Sequence, residues 1–489
     1  MYKLVLCLWL FLHVISTHAS VRAQERKVGK LKEVFAWKQI SFNINGNIVD
    51  RDRFSVDGIE RQRSKRQSDF VYFADNDVSN NKKNKIRFPR PQYNYQGYNY
   101  SNDRIDTPTP RPNSNDDPSS FFIQYNNVPM GVEKVGNRLF VTIPRRRHGI
   151  PSTLNYLDLT LDMERTPNLR PYPSLRQGRN LVSVYRTRAD ECGRLWMVDT
   201  GLLEIPDQPQ QAQPPAIVVF DLSNDQQILR YELKESDLPA NNTPTGLASI
   251  TIDTSNGCSN AFAYIPDLTT FGIVVYSLRE NDSWRVTHSY MHFNPTAVNL
   301  QIAGQRFQWS DGIFSIALGW AGSDRCRTAY FHPLISTQEF SVSTCVLNNR
   351  TASTDSEYWT RYSIVGERGD RSQSTMHDMH PNGVLLYADV GRNSVSCWNT
   401  NKDLSPNNIA VLATDTDTLS YPADLHVTNG EVWVIANKLP RFSYASLDVN
   451  EYNFFIYRGN VEEMIYDTVC SSRSRPTSSS TSYNNNRFN

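Results

Sequence analysis

The sequence predicts an all-β fold, a six-bladed β-propeller, with a disordered insertion near the N-terminus and a disordered C-terminal tail. Three observations predict it. A glycine-led apolar motif returns six times, at spacings of roughly 50 to 70 residues, the period range of propeller blades. The runs that follow each glycine are β-branched and aromatic, which suits buried strands. The chain has 489 residues, room for all the blades in one large domain.

Along the chain, residues 1–23 read as a secretory signal, with Lys3, an apolar run from Leu4 to Ile15, and small residues ending at Ala19 or Ala23. That run is too short to span a bilayer, and no later segment qualifies, so the mature chain is not expected to be membrane-spanning. Residues 24–44 are expected to supply the first strand of the propeller, within L-K-E-V-F-A-W-K-Q-I-S-F-N-I at 31–44. Residues 45–120 turn polar and rich in Asn, Asp, Arg, Pro and Tyr, a composition that reads as disordered. Within them, Arg63-Ser64-Lys65-Arg66 has the form of a basic processing site ending at Arg66, or is a solvated charge run. Tyr93, Tyr95, Tyr98 and Tyr100 suit matrix cross-linking or are plain low complexity.

The folded pattern resumes for residues 121–470. The motifs are G-N-R-L-F-V-T-I from Gly136, G-R-L-W-M-V-D from Gly193, G-C-S-N-A-F-A-Y-I from Gly257, G-I-F-S-I-A-L from Gly312, G-V-L-L-Y-A-D-V from Gly383 and G-E-V-W-V-I-A-N from Gly430. Trp196, Trp309 and Trp433 are expected in blade cores. Residues 471–489, rich in Ser and Asn, read as a disordered tail.

Once Cys7 leaves with the signal, six cysteines remain, and an even number in a secreted chain favours disulfides. The expected pairs are Cys192 with Cys258, Cys326 with Cys345, and Cys397 with Cys470, although six cysteines allow 15 pairings. Sequons at Asn99, Asn241, Asn281 and Asn349 support a secreted, extracellular glycoprotein. The formal net charge of +1 argues against nucleic acid as a partner. No serine-hydrolase elbow, P-loop or H-E-x-x-H occurs. His377 and His380 form an H-x-x-H, and His288 and His292 lie four apart, but two ligands do not define a site. Neither a metal nor a cofactor is expected.

Several stretches carry a resemblance. They include D-E-C-G-R-L-W-M-V-D-T-G from Asp190, R-L-F-V-T-I-P-R from Arg138, F-Q-W-S-D-G-I-F from Phe307, Y-F-H-P-L from Tyr330 and Y-P-A-D-L from Tyr421. In order and density these resemble the insect Yellow and major royal jelly protein family. The long insertion and the Cys326–Cys345 pair depart from its pattern. The resemblance implies a six-bladed propeller and a role in melanin pigmentation or cuticle chemistry through catecholamine-derived compounds. It leaves open a dopachrome isomerase or tautomerase, or a non-catalytic binder of biogenic amines. Partners would be a small aromatic amine or a catechol or indole compound, together with extracellular matrix or cuticle.

In amine-binding relatives the pocket draws on a P-x-D-L turn and a strand ending in Asn, which match Asp424 and Asn437 here, with Ala423 where some relatives offer a hydroxyl. Asp199 and Asp267, each after an apolar strand, are further candidates at the channel mouth. All four also fit a plainer role, bracing turns through backbone hydrogen bonds. Isomerisation would need a general acid or base, for which the histidines of the folded region, His148, His332, His377, His380 and His426, are the candidates.

Overall fold

The computed structural model describes residues 26–56, 59–62, 122–207, 209–239 and 243–472. The expected signal segment, Arg66, Asn99, Asn241, the tyrosine cluster and all but the first two residues of the tail lie outside them.

Six antiparallel sheets form the blades of a propeller. Their inner strands are Gly131–Val135, Val184–Ala189, Thr251–Asp253, Ile313–Ala321, Ser374–Met379 and Tyr421–Thr428, which define blades 1 to 6. Each inner strand turns back into a second strand: Arg138–Thr142, Arg194–Asp199, Phe262–Asp267, Arg327–Pro333, Val384–Asp389 and Glu431–Asn437. Trp196, Trp398 and Trp433 are buried between blades, whereas Trp309 is only half-buried and stands at one end of the channel.

Five of the six motif glycines, Gly136, Gly193, Gly257, Gly383 and Gly430, precede second strands with φ between 56° and 90°, where a Cβ is costly. Gly312 differs. It leads into an inner strand, and a Cβ there would run into the Phe271 ring and the Met291 carbonyl. Blade 4 makes its own hairpin at 322–326, beside the Cys326–Cys345 disulfide. The other disulfides are also the expected pairs: Cys192–Cys258 joins blades 2 and 3, and Cys397–Cys470 ties the end of the described chain to blade 5. No helix among the described residues is long and apolar enough to cross a membrane.

The ring closes across the termini. Leu31–Trp37 pairs with Phe454–Asn460 as the fourth strand of blade 6, so chain ends complete one sheet. Ala36 also donates its N–H to the Arg165 carbonyl at 2.8 Å, and the Trp37 indole donates to Pro167 at 2.7 Å, tying the strand to blade 1. The expected strand over 31–44 is broken after Trp37. Phe42–Ile44 instead folds back on Asn47–Val49, and Asn43 donates to the Leu169 carbonyl at 2.8 Å. Strands also extend over Arg53–Val56 and Ile59–Gln62, so the polar segment assigned to the insertion begins as paired structure. Polar composition misleads here because Asn47–Val49 pairs with the apolar Phe42–Ile44 just before it, and Val49 buries with Phe42 and Ile44 against the blades. Arg53 and Phe122 exchange two backbone hydrogen bonds of 2.9 Å, which brings the two flanks of the insertion together.

Burial of Leu31, Phe35 and Trp37 contributes roughly 5–8 kcal/mol at most, before chain entropy is charged against it. A cut within residues 63–66 leaves all of these contacts in place. A chain cut there should therefore elute as one species on native gel filtration and separate into two on denaturing gels. Loss of the short fragment under native conditions would contradict the closure described here.

Candidate functional site: the two ends of the channel

The inner strands bring polar side chains to the channel axis, and one arginine divides the space. Arg186, on blade 2, is fully buried. It donates to the Ala248 carbonyl of blade 3 at 3.0 Å and to the Ala423 carbonyl of blade 6, while its guanidinium lies 4.7 Å from the Phe314 ring of blade 4. Asp424 lies 3.5 Å away and balances its charge. A buried guanidinium that meets carbonyls, a carboxylate and an aromatic face is well satisfied. It forms a floor between an upper mouth and a lower cup.

The lower cup holds a charge network. Arg188 reaches from blade 2 to Asp378 on blade 5 with contacts of 2.7 and 3.2 Å, a bidentate pair across the axis. The same guanidinium lies 2.5 Å from Nδ1 of His426. A guanidinium only donates, so Nδ1 holds the lone pair and Nε2 carries the proton. Nε2 faces Asp424 at 3.3 Å and Glu133 at 3.5 Å. Burial opposes charge on His426, yet the Asp424 and Glu133 carboxylates outweigh it and raise its pKa. Geometry decides between these: a proton on Nδ1 would collide with Arg188, so the ring stays neutral while that contact holds. Burial raises the Glu133 carboxyl, against the pull of His426 and Arg188. This network looks inward, centred on the Arg188–Asp378 pair, and leaves Glu133 Oε2 and His426 Nε2 in ion-pair reach without a hydrogen bond.

The upper mouth is the opposite. Asp311 lies two residues before the inner strand of blade 4, and Tyr421 opens that of blade 6. Arg146 lies in the loop after the second strand of blade 1. Among the described residues, none of these three side chains makes a hydrogen bond or a close ion pair with another protein group. They are electrostatically coupled nonetheless. Burial pushes the Asp311 carboxyl up to about 6, with Arg146 pulling the other way. Asp311 is half-exposed by surface yet densely surrounded, as expected for a group at the bottom of an open cup. Burial raises the Tyr421 phenol further out of reach of neutral pH, so it remains a donor. The wall is aromatic. Trp309 meets Tyr421 edge to face at 6.0 Å, and Phe307 packs on Trp309 and Tyr444 at 4.7 and 5.0 Å. The Trp309 indole donates to the Tyr444 hydroxyl at 2.5 Å.

The residues singled out from the sequence occupy other posts. Asp199 accepts the N–H groups of Val182, Ser183 and Gly201 and pairs with Arg230 at 3.3 Å. Asp267 accepts those of Gly246, Thr269 and Thr270 and pairs with Arg285 at 3.1 Å. Asn437 accepts from the Leu439 N–H and donates to the Pro129 carbonyl. Asp424 accepts the Val132 N–H at 2.9 Å and faces Arg186. All four are buried, with these polar atoms committed to backbone or to an arginine. Of the histidines, His148 pairs with Glu204 at 2.8 Å near the mouth, and His426 belongs to the lower cup. His377 and His380 part company: His377 turns to Glu339, and His380 accepts from the Asn382 N–H. His288 stacks on Tyr362 and His292 lies tilted against Phe271, so that pair does not converge. Asp311 and Trp309 lie within the F-Q-W-S-D-G stretch, the one signal that could have pointed to the mouth.

The six-bladed propeller thus has a channel crossed by Arg186 and carries a carboxyl, a guanidinium and a phenol, none hydrogen-bonded to another protein group among the described residues, at one mouth. The chain belongs to the Yellow and major royal jelly protein family. The family model described as "Major royal jelly protein" matches residues 182–470. The chain is 45% identical over 362 residues to L-dopachrome tautomerase yellow-f of Drosophila melanogaster, covering 72% of this chain and 84% of that one. It is 38% identical over 364 residues to Protein yellow of Drosophila yakuba, covering 73% of this chain and 66% of that one. A virginiamycin B lyase structure from Staphylococcus aureus aligns over 69% of this chain and 96% of its own, at 11% identity and a TM-score of 0.37, too slight a likeness to bear on function.

Because its folded pKa exceeds the ordinary value of 3.8, the favourable contribution of Asp311 is complete below that value and lost as pH rises through about 6. Asp311→Asn removes the loss. The variant should gain roughly 1–2 kcal/mol on the wild-type protein as pH rises from about 4 to 6 and hold it at pH 7. Denaturant unfolding at several pH values measures this; an unchanged difference across that window would contradict an unpaired Asp311.

Proposed function

We propose that this protein is a secreted enzyme of melanin pigmentation that isomerises a dopachrome-type aminochrome at the upper mouth. The observation that carries the reading is the cluster of three unpaired groups, Asp311, Arg146 and Tyr421, beside the Trp309 ring. Dopachrome is a planar indoline quinone bearing a carboxylate. Its tautomerisation removes two protons from the five-membered ring carbons and returns two to the quinone oxygens. Composition is unchanged, so no oxidant or cofactor is called for.

Each group suits one part of that chemistry. Asp311, half-ionised near pH 6, is poised to take a carbon-bound proton. Arg146 offers a fork to the carboxylate. The Tyr421 phenol keeps its proton and can donate to a developing enolate oxygen. Aromatic faces from Trp309 hold the ring. The alternative of a biogenic-amine binder gains from the same aromatic wall, but an ammonium would have to sit beside Arg146, which favours an anionic ligand instead.

Supporting passage to the cell exterior are the signal-like residues 1–23, the three disulfides, and the exposed sequon residues Asn281 and Asn349. Cuticle or matrix is the proposed setting.

The test is dopachrome decay, followed by absorbance against heat-inactivated protein. Wild-type protein should accelerate it saturably, with kcat/KM rising through about pH 6. Asp311→Asn should lower kcat by about 100-fold or more and abolish that limb. Arg146→Gln should cost roughly 10-fold or more in kcat/KM for dopachrome and little for the aminochrome lacking the carboxylate. Full activity in Asp311→Asn would refute the assignment. Tight binding of dopamine or serotonin without turnover would favour the amine binder.

A further inference from the structure

The loop that carries Arg146 is pinned on both sides of it. Residues 144–149 read P-R-R-R-H-G and lead from the second strand of blade 1 toward its third, Leu154–Asp158. The Arg145 guanidinium donates to the carbonyls of Ile150, Pro151, Leu181 and Val182 at 2.6 to 3.0 Å. Arg147 lies over the Phe442 ring at 3.9 Å and donates to the Phe442 carbonyl. The His148 carbonyl accepts from Asn126 at 2.8 Å. Arg146, between them, turns to the mouth, where its charge acts on Asp311.

A single residue of blade 2 grips this loop twice. Glu204 follows Leu202–Leu203 in the segment between the second and third strands of that blade. Its N–H donates to the Arg145 carbonyl at 3.0 Å, and its carboxylate accepts from His148 Nε2 at 2.8 Å. It thus holds the chain one residue before Arg146 and two residues after it. The second contact needs only a proton on Nε2, so a neutral ring makes it as well as a charged one. The Glu204 side chain is 13% exposed, which shields the contact from solvent on its side. Its backbone has a φ of 59°, in the left-handed region where glycine is the default. A glutamate there carries a backbone cost, and its carboxylate is given to the ring two residues from Arg146.

The consequence for ligand choice is one of orientation. A guanidinium binds a carboxylate best through two parallel N–H groups, which demands a fixed fork. On a loose loop Arg146 would still attract anions, but without the paired geometry. We propose that Glu204 is a positioning residue that holds this fork, so that the mouth selects carboxylate-bearing aminochromes over those without a carboxylate. The proposal rests on the reading of the mouth given above and adds a determinant outside it.

A plain charge effect has the opposite sign. Removing an acid near Arg146 makes the mouth more positive and favours a carboxylate, whereas loss of positioning disfavours it. Glu204→Gly removes the side chain and suits the φ of 59°, so the fold is kept. Glu204→Gln removes the charge but keeps an acceptor for His148 Nε2.

The experiment compares kcat/KM for dopachrome and for the aminochrome lacking the carboxylate. Beside it, equilibrium binding of indole-2-carboxylate and of indole is measured on the same full-length proteins. Glu204→Gly should lose about five-fold or more of the wild-type preference for the carboxylate in both measurements, through KM for dopachrome. Its kcat for the aminochrome without the carboxylate should stay at the wild-type level. Glu204→Gln should keep the preference, and Glu204→Gly added to Arg146→Gln should change it no further. An unchanged or raised preference in Glu204→Gly would overturn the proposal, as would a wild-type protein with no preference. A binding preference that follows these variants in a protein without turnover would support Glu204 and overturn the isomerase reading instead.

Discussion

The closure of the ring is the constraint on which everything else rests. Leu31–Trp37 and Phe454–Asn460 come from opposite ends of the folded chain and share one ladder. Until they pair, blade 6 lacks an outer strand and presents an unpaired edge to solvent. Closure also fixes the approach of the inner strands at the axis. Arg186 of blade 2 can reach the Ala423 carbonyl of blade 6 only in a completed ring. The floor of the channel is thus a product of topology as much as of the arginine itself.

The two sides of that floor show opposite treatments of buried charge. Below it, Arg188, Asp378, His426, Asp424 and Glu133 face one another across four blades, with Arg188 paired to Asp378 and His426 within ion-pair reach of Glu133 and Asp424. Above it, Asp311, Arg146 and Tyr421 are close enough to influence one another but not bonded to one another. Leaving a carboxyl unpaired near neutral pH costs stability, and such costs gather where a protein holds a site ready for a ligand. The lower network, by contrast, reads as the brace that holds the inner strands around the mouth. Removing one of its members would leave the others buried and unmatched, which is far more disruptive than the loss of a surface pair.

Much of the fold was legible because its signals are local. A glycine at a hairpin tip followed by a buried strand writes itself into consecutive residues, as at Gly193 and Gly430. Gly312 broke the pattern because it is small for packing against Phe271, a contact made across blades. The hairpin at 42–49 was hidden by its polar neighbours, since only alternate side chains face the blades. The site was less legible. An aspartate closing an apolar strand looks the same whether it braces a turn or meets a ligand, and Asp199 and Asp267 hold turns. Asp311 and Arg146 come from separate blades, and what marks them is the lack of a partner, a property of the assembled ring that no stretch of sequence displays. Trp309 was misplaced for a related reason: its neighbours suggest a core strand, but it follows the hairpin of Asn299–Ile302 and Gln305–Gln308 to the channel mouth.

The mouth, and not the network below the floor, is the proposed site of the substrate. A crystal structure with the planar product of the proposed tautomerisation, indole-2-carboxylate bearing two ring hydroxyls, tests it directly. The carboxylate is expected on Arg146, with the five-membered ring over Asp311 and the ring face against Trp309. Product bound in the lower cup on Arg188, or on the outer face of a blade with the mouth unoccupied, would contradict it.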